Sequence, residues 1–149
     1  MKPDKGATPE VEVSELAHRL RLVMGRLVRR LRIEGPKSSV TPVQFSLLAW
    51  IERNGPTTTA VLASSERITA QGVGQNLDIL EDRGLIERGS HPEDLRMVLV
   101  TLTRAGKALV HESRASRESW LAKEISNLDK RQLRSLEIAV SSLEALIDS

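Results

Sequence analysis

The chain has 149 residues, of which 40% are hydrophobic and 28% charged, and its formal net charge at pH 7 is +2. A chain of this length can bury a core, and its weak positive charge permits binding to nucleic acid without requiring it. The absence of cysteine excludes disulfides, thiol catalysis and zinc sites with cysteine ligands. No apolar run approaches the roughly 20 residues that span a bilayer, and the polar N-terminus lacks a signal-peptide core, so we expect a cytoplasmic protein.

The chain begins with a polar segment and a long helical pattern. Residues 1–10 contain two prolines and a glycine and are expected to form a flexible tail. Residues 11–34 repeat apolar side chains at spacings of three and four, including Leu16 and Leu20, which predicts a helix. Further apolar residues lie off this stripe, so we expect a second buried face, for which a partner subunit is one explanation. The same segment is rich in arginine, which favours a solvated or intersubunit ion-pair face over contact with phosphates.

Residues 41–103 have the pattern of a winged helix-turn-helix. Three short helical segments come first, and Gly84 ends the third of them. Two apolar runs at residues 85–88 and 96–102 then flank a polar turn, which predicts a β-hairpin. Because a helix-turn-helix places its second helix in the DNA major groove, this segment predicts a DNA-binding lobe. The N-caps predicted for the three helices are Thr41, Thr58 and Thr69.

The predicted recognition helix follows Thr69 and has one apolar face. Val73 and Leu77 share that face, and at about 100° per residue Gln71 and Gln75 point the opposite way. The exposed first half of the helix therefore presents amides rather than charges. Because Gln and Asn pair bidentately with adenine, we expect half-sites that include A·T pairs.

Residues 104–149 predict two further helices, one reaching about residue 127 and one beginning near Asp129. Apolar residues in the last helix recur at spacings of 3, 4, 3 and 4, which is an a/d seam. Such a seam can pack on the core of its own subunit, but together with the apolar first helix it favours an intersubunit bundle. The seam residues are Leu133, Leu136, Val140, Leu143 and Ile147.

Four motifs occur in an order that resembles the MarR family (multiple antibiotic resistance regulators). They are Thr41-Pro42-x-Gln44, the junction at residues 81–88, the wing tip at residues 92–96 and Leu102-Thr103-x-x-Gly106. The resemblance covers nearly all of the chain after the tail. It implies a mainly α fold with a small β-hairpin wing, in the order four helices, two strands and two helices. Residues 1–149 would form a single domain, with dimerisation helices at 11–34 and 104–149 and a DNA-binding lobe at 41–103.

The resemblance also implies a function. Members are homodimers that bind double-stranded DNA at pseudo-palindromic operators, usually repress nearby genes, and often release DNA when a small aromatic or phenolic effector binds. By this match Arg96 would enter the minor groove and Asp94 would orient it. We expect His18 and Trp50 to line an effector pocket, although a lone Trp on a helix is more typical of a core. The residues expected at the major groove or at phosphates are Thr58, Arg67, Thr69, Gln71, Gly72, Gln75, Asn76 and Arg88.

Some positions depart from the family pattern, and other functions stay open. Leu95 stands where a second basic residue is common, Glu66 where an apolar residue is usual, and Gly72 and Gly74 weaken the recognition helix. One alternative is a winged-helix module that binds another protein and never reads DNA. A weaker alternative is a metal-responsive winged helix. The chain contains no nucleophile elbow, phosphate loop or HExxH, so we expect no enzyme, cofactor or metal site.

Overall fold

The structure is a computed structural model that describes residues 9–34 and 40–148, with side chains from residue 12 onward. Over these residues it is mainly helical with one two-stranded antiparallel sheet, which confirms the predicted fold class. The helices are α1 (Pro9–Glu34), α2 (Pro42–Asn54), α3 (Thr59–Glu66), α4 (Ala70–Asp82), α5 (Arg104–Ser126) and α6 (Lys130–Ile147). The strands are β1 (Ile86–Ser90) and β2 (Val98–Leu102).

The helices begin where their capping residues predict. Thr41 and Gln44 form a capping box, in which Thr41 Oγ1 accepts the Gln44 N–H at 3.3 Å and Gln44 Oε1 accepts the Thr41 N–H at 3.0 Å. Thr58 and Thr69 cap α3 and α4, and Asp129 caps α6. α1 begins at Pro9, two residues earlier than expected. Residues 1–8 of the expected tail, residues 35–39 between α1 and α2, and residue 149 lie outside the described residues.

The strands are shifted from their predicted bounds. Leu85 was expected in the first strand, but its N–H donates to the Leu80 carbonyl at 2.9 Å and so closes α4. Strand β1 instead continues to Ser90, which pairs with Val98. The second strand begins at Val98 rather than at Arg96, because the turn is closed by a hydrogen bond from the Met97 N–H to the Asp94 carbonyl at 2.9 Å. The turn therefore includes Arg96 and Met97, which the sequence predicts as the start of the second strand.

A short third segment extends the sheet. The Thr57 N–H donates to the Val100 carbonyl at 3.1 Å, and the Val100 N–H donates to the Thr57 carbonyl at 2.7 Å. Thr57 precedes α3 and is buried. The strand β2 is thus paired on both edges, which fixes the wing to the start of the helix-turn-helix.

The chain forms two compact units. The winged-helix unit is Gly35–Ser116, and the helical unit is Met1–Glu34 with Arg117–Ser149, so that α5 begins in one unit and ends in the other. Every described side chain that is buried belongs to the winged-helix unit. Its core is aliphatic, as the 2% aromatic content requires. The fully buried large side chains are Leu47, Leu48, Leu62, Val73, Leu77, Leu80, Ile86, Val100 and Val110.

The helical unit exposes much of its apolar surface. Leu16 on α1 is 65% exposed and Ile147 on α6 is 77% exposed. Leu133, Leu136 and Val140 of the predicted seam line a groove of about 400 Å³ together with Ile125 of α5. None of the helices among the described residues is long and apolar enough to cross a membrane.

The start of α5 is hydrogen-bonded to the junction between α4 and β1. The Leu85 carbonyl accepts the Thr103 N–H at 3.1 Å, and the Thr103 hydroxyl donates to the Gly84 carbonyl at 2.6 Å. The same hydroxyl oxygen accepts the Gly106 N–H at 3.1 Å. Gly106 is buried against this junction, and a Cβ at that position would overlap the Leu85 carbonyl oxygen. The motif Leu102-Thr103-x-x-Gly106 therefore has a steric reason.

Gly106→Ala is expected to lower the free energy of unfolding by about 3 kcal/mol or more, because backbone must move to admit the methyl group. Chemical denaturation followed by circular dichroism measures the change. Gly74→Ala is the matched control, since a Cβ at Gly74 has nothing within 4 Å. This control is expected to stabilise α4 by about 0.8–1.0 kcal/mol. Equal stability of the two variants would show that the junction relaxes without cost.

Candidate nucleic-acid interface

The turn between α3 and α4 depends on one residue with an unusual backbone conformation. Arg67 has φ 54° and ψ 39°, in the left-handed region, and it is the C-cap of α3. Its N–H donates to the Ala63 carbonyl, which closes α3. Because its side chain is exposed, Arg67 combines a structural role with a cation at the turn.

The recognition helix α4 has the two faces that the sequence predicts. Val73 and Leu77 are fully buried, whereas Gln71 and Gln75 are exposed. Asn76 is less free than they are, because its Nδ2 donates to the Gly72 carbonyl at 2.8 Å. The amide oxygen and the second N–H of the Asn76 side chain are left for a ligand.

Gly72 lies under the cap of α4. Thr69 Oγ1 accepts the Gly72 N–H at 3.1 Å, and a Cβ at Gly72 would lie 3.1 Å from the same oxygen. That separation is tighter than ordinary van der Waals contact, so glycine leaves room for the cap. No such restriction applies at Gly74.

Arg88 on β1 is bound to α4. Its Nη1 lies 2.8 Å from Asp78 Oδ1 and 2.7 Å from Glu81 Oε2, and its backbone N–H donates to Glu81 Oε1 at 3.2 Å. Burial lowers the pKa of this guanidinium, but the hydrogen bonds and charges of Asp78 and Glu81 outweigh it and raise the pKa overall. The sequence predicts Arg88 at a phosphate and does not identify either carboxylate as its partner.

The tip of the wing is a turn held by local hydrogen bonds. Asp94 Oδ1 accepts the Arg96 N–H at 3.0 Å and lies 3.8 Å from Arg96 Nε. The His91 N–H donates to the Met97 carbonyl at 3.0 Å. The Arg96 side chain is 96% exposed, and Leu95 beside it is also exposed. Asp94 thus fixes the backbone of Arg96 while leaving its guanidinium open to a ligand.

Glu66 has a partner that accounts for its departure from the family pattern. The Ser46 hydroxyl on α2 donates to Glu66 Oε2 at 2.6 Å. Both side chains are half-buried, so this hydrogen bond compensates for burying a charge between α2 and α3. The sequence carries no local signal of the pair, since the two residues are 20 positions apart.

The two candidate effector residues lie in different units. His18 is exposed on α1 in the helical unit. Trp50 is half-buried on α2 and packs against the winged-helix core, as expected for a lone Trp on a helix. Their role toward an effector stays a prediction. Within residues 9–34 and 40–148, no three His, Asp or Glu side chains are arranged to hold a metal ion.

Comparison with known proteins identifies the family. The MarR family model matches residues 38–97. An HTH-type transcriptional regulator of Mycobacterium tuberculosis is 34% identical over 135 residues, covering 91% of this chain and 94% of that protein. A Pseudomonas aeruginosa protein of known structure is 31% identical with a TM-score of 0.77, over 92% of this chain and 96% of that one.

The fold agrees with that identification. A MarR family protein from Bacillus stearothermophilus superposes with a TM-score of 0.79 at 23% identity, over 96% of this chain and 100% of that chain. Regulators of the MarR family bind DNA and typically act as dimers. Because the identity to the mycobacterial regulator extends over nearly the whole chain, this protein belongs to the MarR family and is a DNA-binding transcriptional regulator rather than an enzyme.

Proposed function

We propose that the protein is a cytoplasmic homodimer that represses transcription from a pseudo-palindromic operator and is released from it by a small-molecule effector. The observation that carries the proposal is that the winged-helix unit exposes two sets of side chains suited to DNA. α4 presents Gln71 and Gln75 on a face without charge over its first half, and the wing presents the guanidinium of Arg96.

Base recognition divides between the helix and the wing. Gln71 and Gln75 offer donors and acceptors that match adenine in the major groove. Arg96 suits a narrow A·T minor groove, where the negative potential is strongest, with Asp94 setting its backbone. Leu95 adds no charge at the tip, so Arg96 is the basic residue of the turn at residues 91–97.

Phosphate contacts are proposed at the starts of α3 and α4. Neither helix has an acidic residue in its first turn, so the positive end of each helix dipole is not neutralised by a carboxylate. Thr58 and Thr69 accept the cap hydrogen bonds through their hydroxyl oxygens and keep a hydroxyl hydrogen to donate to a phosphate. Arg67 adds a cation between the two helix starts.

A second copy of the chain is the proposed occupant of the apolar surface of the helical unit. α6 has no buried residue, and its seam from Leu133 to Ile147 has the spacing of helix-helix packing. α1 also exposes apolar side chains, including Leu16. Covering these two helices with their counterparts would bury both faces, and such a dimer should need half-sites about one helical turn apart.

Two relatives that are named repressors support a repressor role for this chain. The repressor MdtR of Bacillus subtilis is 28% identical over 97 residues, and the repressor NicR of Pseudomonas putida is 26% identical over 103 residues. We propose an aromatic or phenolic effector, with His18 and Trp50 as candidate contacts. Release of the protein from its operator by such compounds, followed through Trp fluorescence, is the experiment for this part of the proposal.

Operator selection from random duplexes is expected to enrich a palindrome whose half-sites contain A·T pairs. Arg96→Ala should then weaken binding to that operator by about tenfold or more, because a minor-groove cation is lost. Fluorescence anisotropy measures affinity, and sedimentation should show that the dimer persists. Glu93→Gln, at an exposed position of the same turn, is the control. Absence of any enriched sequence would favour the protein-interaction module instead.

Arg67→Gly is expected to retain the fold and lose a phosphate contact. Glycine adopts φ > 0 without strain, so the melting temperature should stay constant or rise. The slope of log affinity against log salt should decrease by about one. Arg67→Lys keeps the charge and should keep the slope. An unchanged slope for both variants would remove Arg67 from the interface.

Val140→Glu is expected to raise the dimer dissociation constant by about a hundredfold or more, because the charge would be buried at the interface without a partner. Analytical ultracentrifugation measures the constant. Ser142→Glu places the same charge two residues away, at an exposed position off the seam, and should leave the dimer intact. Dissociation by both variants, or by neither, would contradict the proposed packing of α6.

A further inference from the structure

We infer that Arg88 is a positioning residue, which fixes the wing on the recognition helix and thereby sets where Arg96 meets DNA. The inference rests on the proposed function, because it requires Arg96 to contact the operator. It also assigns Arg88 a different role from the phosphate contact that the sequence favours.

Both the side chain and the backbone of Arg88 are attached to α4. Nη1 lies within 2.8 Å of both Asp78 and Glu81, and Nη2 reaches the Gly74 carbonyl at 3.5 Å. The backbone N–H of the same residue donates to Glu81. A planar guanidinium held at three points of one helix face restrains rotation of the strand as well as its distance from the helix.

Charge balance keeps Arg88 in this place. One guanidinium faces two carboxylates, so turning it toward a phosphate would break its ion pairs with both. Asp78 is the only charged residue between Thr69 and Leu80, and its side chain is 67% exposed. Without Arg88, its charge would repel the DNA backbone. Arg88 therefore also masks a negative charge on the recognition helix.

The restraint is transmitted to the tip through the strand pair. Arg88 is the middle residue of β1 and pairs with Val100 at the centre of β2. Beyond this pair the hairpin continues to the turn that carries Arg96, where the hydrogen bonds of Asp94 and His91 are local to the turn. Those local bonds shape the tip but do not place it relative to α4.

The first test uses the free protein and does not depend on DNA. Arg88→Met keeps the side-chain stem and removes the fork, and Arg53→Met removes the same charge from an exposed site at the end of α2. Hydrogen exchange of the wing amides at residues 86–102 should quicken by about tenfold in the first variant and not in the second. The double variant Asp78→Asn/Glu81→Gln should reproduce the Arg88→Met result. Unchanged wing exchange in Arg88→Met overturns the inference.

The second test uses the operator selected as described above. Arg88→Met and Arg96→Ala should each weaken binding by about tenfold, while the double variant should be at most about threefold weaker than Arg96→Ala alone. Two independent phosphate or base contacts would instead multiply to about a hundredfold loss, which would contradict positioning. If the wild type selects no operator, the proposed function fails, and the exchange experiment still decides whether Arg88 holds the wing.

Discussion

The close approach of the α5 backbone to the carbonyl of Leu85 is the constraint on which the rest of the winged-helix unit depends. This contact joins three elements, because Leu85 follows the end of α4, precedes β1 and receives the N–H of Thr103 at the start of α5. The start of β1 and the end of β2 are therefore held together by the hydrogen bond between Leu85 and Thr103. A larger residue at position 106 would push α5 away and open that contact. Buried packing alone does not impose this geometry, since aliphatic cores tolerate small shifts more readily than a backbone overlap.

The contacts that restrain the wing change in kind from its base to its tip. Its base is held by backbone contacts, and its middle by Arg88 and by the pairing of Thr57 with Val100. Its tip is held by a few hydrogen bonds within the turn. Local stability in proteins follows such differences in contact and burial. A tip of this kind can adjust to the width of a groove, while the middle of the wing preserves its direction relative to α4.

The sequence predicts those features of the fold that depend on residues three or four positions apart. The caps at Thr41, Thr58 and Thr69 are confirmed, because a hydroxyl three residues before its backbone partner needs no tertiary information. Pairs that form only after the helices pack were not predictable in this way. The sequence does not show that α2 places Ser46 within hydrogen-bond distance of Glu66. Nor does it show that β1 lies against α4, where Arg88 forms its ion pair with Glu81. The strand bounds were wrong for a different reason, because the backbone hydrogen bonds from Leu85 to Leu80 and from Met97 to Asp94 that set them carry no side-chain signal in the sequence.

Among the described residues, buried side chains occur in the unit that carries the recognition helix and not in the unit proposed to form the dimer. The winged-helix unit contains all of the described buried side chains and so has a core within one copy of the chain. The helical unit has none, and its apolar residues lie on faces whose spacing is suited to other helices. A second copy of the chain that covers α1 would also account for the surplus of apolar residues along this helix, which is visible in the sequence. Under the proposed assembly, each lobe would present its groove-reading residues by itself, and packing between the two helical units would hold the two copies together.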